Sequence, residues 1–100
     1  MASFTITNLA KADLKEIGLY TQEKWGRDQR DKYLGMLDAS FRKLAANPLA
    51  GRDCSDIRSG YRKLNAGSHV IFYRHPLPDT IEIVRVLHAN MDIEARISAS

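Results

Sequence analysis

The chain holds a single cysteine, Cys54, among 100 residues. One thiol cannot form an internal disulfide, so no disulfide framework supports the fold, and a lone thiol suits a reducing compartment. No apolar run reaches the roughly 18 residues that a membrane-spanning helix needs. The N-terminus, Met1-Ala2-Ser3-Phe4-Thr5-Ile6-Thr7, alternates and lacks the charged-then-apolar plan of a signal peptide. These absences together make a cytoplasmic protein the expectation. Proline is scarce, with 3 residues, and no glycine-rich phosphate loop, repeat or low-complexity tract interrupts the chain. His69, His75, His88 and Cys54 stand at no metal-ligand spacing, so neither a metal nor a cofactor is expected. No pair of carboxylates stands at a spacing that suggests hydrolysis.

What is present is ordinary in amount and ordered in arrangement. Hydrophobic residues make up 44% of the chain, enough for one core and against disorder. The length allows a single domain over residues 1–100. Phe4-Thr5-Ile6-Thr7 has period two and reads as a strand, with Asn8 as a turn or cap residue. From about Ala10 to Trp25 the period becomes helical, with Leu14, Ile17 and Tyr20 on one face. Gly26 ends that helix. A second helix runs from about Asp28 to Ala46, carries Tyr33, Leu34, Leu37, Phe41, Leu44 and Ala45 as its stripe, and stops at Asn47-Pro48. The short link implies an antiparallel helical hairpin.

Leu49 to Gly60 reads as a loop. Three period-two runs follow, at Tyr61–Ala66, His69–His75 and Ile81–Leu87, joined by Gly67-Ser68 and by Pro76-Leu77-Pro78-Asp79-Thr80. Asp92 can cap a short last helix from Ile93 to Ile97. The fold class is therefore α+β: an N-terminal strand, then the helical hairpin packed on a small antiparallel β-sheet, then a short C-terminal helix.

The charge is concentrated. Five cations (Arg58, Arg62, Lys63, Arg74 and Arg85) lie between Arg58 and His88, against two acids, Asp79 and Glu82. Interleaved with Tyr and Phe, such cations can hold phosphates and stack bases, or can serve as a solvated face that blocks edge pairing. Strict alternation places Ile81, Ile83, Arg85 and Leu87 on one face of the last strand, opposite Glu82, Val84 and Val86. The face away from the helices is then an open mixed surface of rings and cations. His88 can act as an acid or base, or close the strand end as a hydrogen-bonding group. Cys54, in the polar run Arg52-Asp53-Cys54-Ser55-Asp56, reads as an incidental loop residue. A helical hairpin on a small sheet also leaves a groove in which an amphipathic partner helix could lie, near Tyr20, Trp25, Tyr33 and Met36; alternatively these residues simply pack the hairpin, and Trp25 reads first as a core residue and second as a partner anchor.

Three blocks carry a family resemblance: Tyr61-Arg62-Lys63-Leu64-Asn65-Ala66-Gly67-Ser68-His69-Val70-Ile71-Phe72-Tyr73-Arg74, Ile81-Glu82-Ile83-Val84-Arg85-Val86-Leu87-His88, and Met91-Asp92-Ile93-Glu94-Ala95-Arg96. With Glu23-Lys24-Trp25-Gly26 and Leu44-Ala45-Ala46-Asn47-Pro48, the chain resembles the ParE toxins of bacterial toxin–antitoxin pairs, within the wider RelE/ParE superfamily. The resemblance implies a non-enzymatic toxin that traps the cleaved-DNA complex of DNA gyrase and forms a hetero-oligomer with a ParD-like antitoxin. Arg58, Arg62, Lys63, Arg74, Arg85 and His88 are then expected to meet the target. Leu14, Ile17, Tyr20, Trp25, Tyr33, Met36 and Leu37 are expected to meet the antitoxin. Relatives of the RelE type instead cut mRNA on the ribosome with basic residues and a tyrosine or histidine near the C-terminus. Here Arg62, Lys63, Arg85 and His88 could imitate part of such a site, but no tyrosine follows Tyr73. A third possibility is a degenerate, non-toxic binding module. It is raised by Asn90, which stands where relatives often have arginine in a His-x-Arg-Met-Asp pattern.

Overall fold

The computed structural model describes residues 3–89 and Ile97. The elements, in chain order, are β1 (Ser3–Ile6), α1 (Asn8–Trp25), α2 (Arg27–Ala46), a 3₁₀ turn at Pro48–Ala50, β2 (Arg52–Asp53), β3 (Tyr61–Ala66), β4 (His69–Leu77) and β5 (Thr80–His88). The two helices pack on one face of a five-stranded sheet of order β1-β5-β4-β3-β2. The class is α+β, as the periodicities imply. The expected helix at Ile93–Ile97, Asn90 and the Met91-Asp92 pair lie outside the described residues, Ile97 excepted.

The helices begin and end for local reasons. Thr7, not Asn8, caps α1: its hydroxyl accepts the Ala10 amide at 3.1 Å and donates to the Val84 carbonyl at 2.8 Å. One side chain therefore starts the helix and ties it to β5. Gly26, at φ 92°, ends α1 and precedes the first residue of α2, a left-handed conformation that favours glycine. The chain reverses there, so that Gln22 meets Arg30 at 2.6 Å and Gly18 faces Leu34. Ile17, Leu37, Phe41 and Leu44 then bury against Ile71, Tyr73, Ile81, Ile83 and Val86.

The sheet departs from the sequence reading in four respects. First, it is mixed: β1 pairs parallel to β5, while β2, β3, β4 and β5 pair antiparallel in turn. Period-two alternation carries no strand direction: the two helices deliver the chain into β2 antiparallel to β1, and three antiparallel reversals then bring β5 alongside β1 in the same direction. Second, the Leu49–Gly60 segment is not only loop. It contributes the 3₁₀ turn and the two-residue edge strand β2. Third, β5 changes phase. The pairing with β4 shifts between Phe72/Arg85 and Tyr73/Ile83, an extra residue at Val84–Arg85. A one-residue insertion moves everything beyond it to the other face. Val86 therefore joins Ile81 and Ile83 under the helices, and Leu87 joins Val84 on the far side. Fourth, that far side is not an open surface. Cys54, Tyr61, Val70, Phe72, Val84, Leu87 and Ile97 form a second core there. Cys54 lies outside the helices and strands, as read, but is a buried member of this core, with burial pushing its thiol pKa up.

One tyrosine anchors the 3₁₀ turn from within the core. The Tyr73 hydroxyl donates to the Pro48 carbonyl at 2.6 Å and accepts the Gly51 amide at 2.9 Å. Arg62 holds the Gly51 carbonyl from the other side, at 2.7 Å. A Cβ on Gly51 would collide with the Tyr73 hydroxyl and would stand 2.7 Å from the Lys63 carbonyl. Gly51→Ala is expected to destabilise the fold by about 1–3 kcal/mol, the cost of forcing a packed backbone apart. Urea denaturation measures it.

Candidate functional site: a cleft between the helices and the sheet end

The bulge in β5 orients the site. Asp13 of α1 accepts three hydrogen bonds there: from Arg85 Nε at 2.8 Å, Arg85 Nη2 at 2.9 Å and the Val86 amide at 3.0 Å. The two side chains are 11% and 14% exposed, so this is a buried, bidentate ion pair. The hydrogen bonds to Asp13 hold the Arg85 guanidinium pKa above its ordinary value. Val86 needs a partner for its amide because the bulge breaks the ladder, and Asp13 provides one.

Beyond the bulge, β5 ends at His88, which lies directly opposite His69 at the start of β4. The two imidazoles meet edge to face, with centroids 5.2 Å apart. Tyr33 of α2 closes over them. Its hydroxyl accepts the Ser68 amide at 3.0 Å and lies 2.6 Å from His69 Nδ1. Burial, and secondly the neighbouring His88, push the His69 pKa below the ordinary imidazole value, against the opposing pull of Asp13.

Above this polar floor stand apolar walls. Trp25 is 69% exposed and Tyr20 is 60% exposed, with Lys24 Nζ 5.7 Å from the Tyr20 ring centre. With Ile17, Thr21, Glu16 and Gln29 they enclose an open cleft of ≈ 990 Å³. Aromatic walls over a few fixed polar groups are the usual build of a site that binds a partner side chain or ligand.

The expected antitoxin residues divide three ways. Ile17, Tyr20, Trp25 and Tyr33 line the cleft. Met36 packs beside Tyr33 at the Gly67 turn, and half-buried Leu14 faces a shallow notch on the outer side of the hairpin with Gly18, Leu19 and Leu34. Leu37 is fully buried against the sheet and is a core residue, a correction to its place in that set. Its stripe position is the same for a core contact and a surface contact, so the sequence could not separate them.

The expected target residues split between the two sides of the sheet. Arg58, Lys63 and Arg74 gather around Tyr61 on the far side. Arg58 lies 5.6 Å from the Tyr61 ring centre, Arg74 pairs with Tyr61 across β3–β4, and Lys63 is two residues along the same strand face. Arg74 also pairs with Glu82 at 2.6 Å, which raises its pKa. Arg62, Arg85 and His88 belong to the helix side. Arg85 shares the face of Ile81 and Ile83, as alternation has it, but that face lies under the helices, so Arg85 is bound by Asp13 and not on an open surface. His88 belongs to the cleft. The residues that the sequence reading missed are His69, Ser68, Glu16 and Gln29. The pairing of His69 with His88 depends on the β5 bulge, which leaves no trace in residue types.

Among the described residues, no group of three or more His, Cys, Asp or Glu side chains could hold a metal ion, and no helix is long and apolar enough to cross a membrane.

Three comparisons bear on the identity of this arrangement. Residues 4–93 match the family model described as ParE toxin of type II toxin-antitoxin system, parDE. A relative named Toxin ParE1 from Mycobacterium tuberculosis is 46% identical over 94 residues, covering 94% of this chain and 96% of its own. A Toxin ParE1 from Caulobacter vibrioides is 37% identical over 97 residues, covering 97% and 99%. A solved structure titled "Chromosomal ParDE TA system from P. aeruginosa" superposes with a TM-score of 0.74 at 25% identity, covering 88% of this chain and 96% of that one.

Proposed function

The chain belongs to the ParE family of type II toxin–antitoxin toxins, and from that premise we propose that it inhibits DNA gyrase by stabilising the cleaved-DNA complex and is held inactive by a ParD-like antitoxin docked in the Tyr20–Trp25–Tyr33 cleft. The observation that carries this reading is the pair of separate surfaces. The cleft supports a docking role because its aromatic walls are more exposed than a lone soluble domain needs for packing. The cationic cluster of Arg58, Lys63 and Arg74 lies on the opposite side of the sheet, and is the surface this reading assigns to the gyrase–DNA complex.

The mRNA-cleaving alternative needs a positioned acid–base set around one phosphate. Arg62 and Lys63 face opposite sides of the sheet, and Arg85 is bound bidentately by Asp13. Lys63 is therefore separated from the other three, and Arg85 is already held by a carboxylate, which favours a binding role over chemistry. The chain is taken to act in the cytoplasm, where gyrase is.

Charge reversal tests the surface assignment. The triple variant Arg58→Glu, Lys63→Glu, Arg74→Glu is expected to lose gyrase-dependent DNA cleavage by at least about tenfold, since each lost cation–phosphate or cation–carboxylate contact weakens a charged interface. It should still bind the antitoxin normally. Retained cleavage with this variant would move the target surface elsewhere.

A further inference from the structure

The far side of the sheet carries a like-charge pair that the fold alone does not call for. Arg52 of the edge strand β2 lies directly opposite Lys63 of β3. Cross-strand partners share a sheet face, and Lys63 lies two residues from Tyr61 of the second core, so both cations project from the far side. Like charges directly opposite each other on a sheet are destabilising. Arg52 is exposed and Lys63 half-buried, and neither makes a hydrogen bond or ion pair among the described residues. The nearby acids do not relieve them. Asp53 faces Arg62 on the other side of the sheet, and its carboxylate accepts the Ser55 amide at 2.8 Å and the Ser55 hydroxyl at 2.6 Å. Glu82 is held by Arg74 at 2.6 Å. Asp56, in the turn after β2, is exposed and pairs with neither cation.

Building on the target role of this side of the sheet, we infer that Arg52 and Lys63 grip the DNA backbone of the cleaved complex, each meeting a phosphate, and do not dock on a surface of gyrase itself. A DNA strand carries one negative charge per about 3.4 Å of its axis, so it offers two adjacent cations an acceptor each with no positive group between them. A carboxylate on a protein surface is a single acceptor, usually set among charges of both signs. The residue types also fit: the Arg52 guanidinium can fork onto two oxygens of one phosphate, and the Lys63 ammonium meets the next as a point charge. The pair is continuous with the cations around Tyr61. Arg52 and Lys63 form one row across β2 and β3, and Arg58 and Arg74 flank Tyr61 in the next row, roughly 6–7 Å along the strands. Tyr61, at the centre of this band, is buried, so it offers no platform on which a base could stack. Contact is therefore to phosphates and independent of base sequence. An arriving phosphate strand also relieves the repulsion that the free chain carries.

Two measurements on the double variant Arg52→Gln, Lys63→Gln test this. Fluorescence anisotropy of a labelled random-sequence DNA duplex, titrated with the chain from about 50 to 200 mM salt, counts phosphate contacts. The variant is expected to lower the slope of log affinity against log salt by about 1.8, two contacts at about 0.9 each. With purified gyrase and plasmid, its yield of cleaved DNA should fall about tenfold, as the loss of two phosphate contacts implies. Arg52→Lys, Lys63→Arg keeps both charges and should retain both activities. The melting temperature of the Gln variant should equal or exceed that of wild type, because the repulsion is gone; a lower one would show the cations to be bound within the fold and would overturn the inference. If the Gln variant loses cleavage but keeps the wild-type salt slope, the pair meets gyrase carboxylates, and the inference is overturned while the target reading stands. If the variant cleaves as well as wild type, the pair only guards the sheet edge and the inference is again overturned. If wild type itself yields no cleaved DNA with gyrase, the target reading fails and this inference fails with it.

Discussion

Asp13→Ala is expected to cost about 3–5 kcal/mol of folding stability, the usual penalty for removing one partner of a buried ion pair. The loss is large because three donors are stranded at once: two guanidinium N–H groups of Arg85 and the amide of Val86 at the bulge. A domain of this size has a total stability of about 5–15 kcal/mol, so the variant should be marginal at 37 °C. Each kcal/mol corresponds to about 4–8 °C in melting temperature at this length. The double variant Asp13→Leu, Arg85→Met discriminates between causes. It removes both charges and keeps the volume, so it should recover most of the loss. About 1–3 kcal/mol should remain for the unpaired Val86 amide. Urea denaturation of the three proteins measures all of this. A loss below about 1 kcal/mol for Asp13→Ala would place the pair among ordinary surface ion pairs and contradict its burial.

Trp25→Ala should do the opposite: leave stability nearly unchanged and abolish most of the antitoxin affinity. Trp25 is 69% exposed and ends α1 just before Gly26, so the fold rests little upon it. Exposed substitutions usually change stability by no more than about 0.5 kcal/mol. An aromatic anchor in a docking cleft contributes about 2 kcal/mol or more, roughly a 30-fold change in dissociation constant. Leu37→Ala is the matched control. It sits in the same predicted set but in the core, and should lose about 2–5 kcal/mol of stability. Binding titrations and melting curves on the two variants therefore separate surface from core. An unchanged affinity for Trp25→Ala would count against the cleft as the docking site.

The two helices, β3, β4, β5 and their approximate bounds were legible because each is long enough to show a period, and Gly26 and Gly67 mark reversals that need positive φ. For Tyr20, Trp25 and Tyr33 the helical period allowed both a groove and simple packing of the hairpin, with Trp25 placed first in the core; the exposure of Tyr20 and Trp25 corrects the core placement. What stayed hidden was set by single residues acting across the fold. The bulge at Val84–Arg85 is hydrogen-bonded on either side by Thr7 and Asp13, 77 and 73 residues away in sequence, and no local pattern shows it. Missing the bulge put Val86 and Leu87 on the wrong faces, and the buried partner of Arg85, Asp13 of α1, has no local mark in the sequence. The same blind spot hid His69 as the cross-strand partner of His88. The burial of Cys54 stayed hidden for a different reason: its neighbours are polar, and a single apolar residue in a polar run carries no period. The second core it belongs to includes Ile97, far along the chain.

The proposed target is the part of the account on which the rest depends, and DNA cleavage by purified gyrase tests it most directly. With supercoiled plasmid, gyrase, ATP and an excess of this chain, linearised DNA should accumulate after denaturation while supercoiling activity falls, and equimolar antitoxin added beforehand should prevent both. Normal supercoiling with no cleaved DNA, at a concentration of chain that arrests growth when expressed alone, would contradict gyrase as the target.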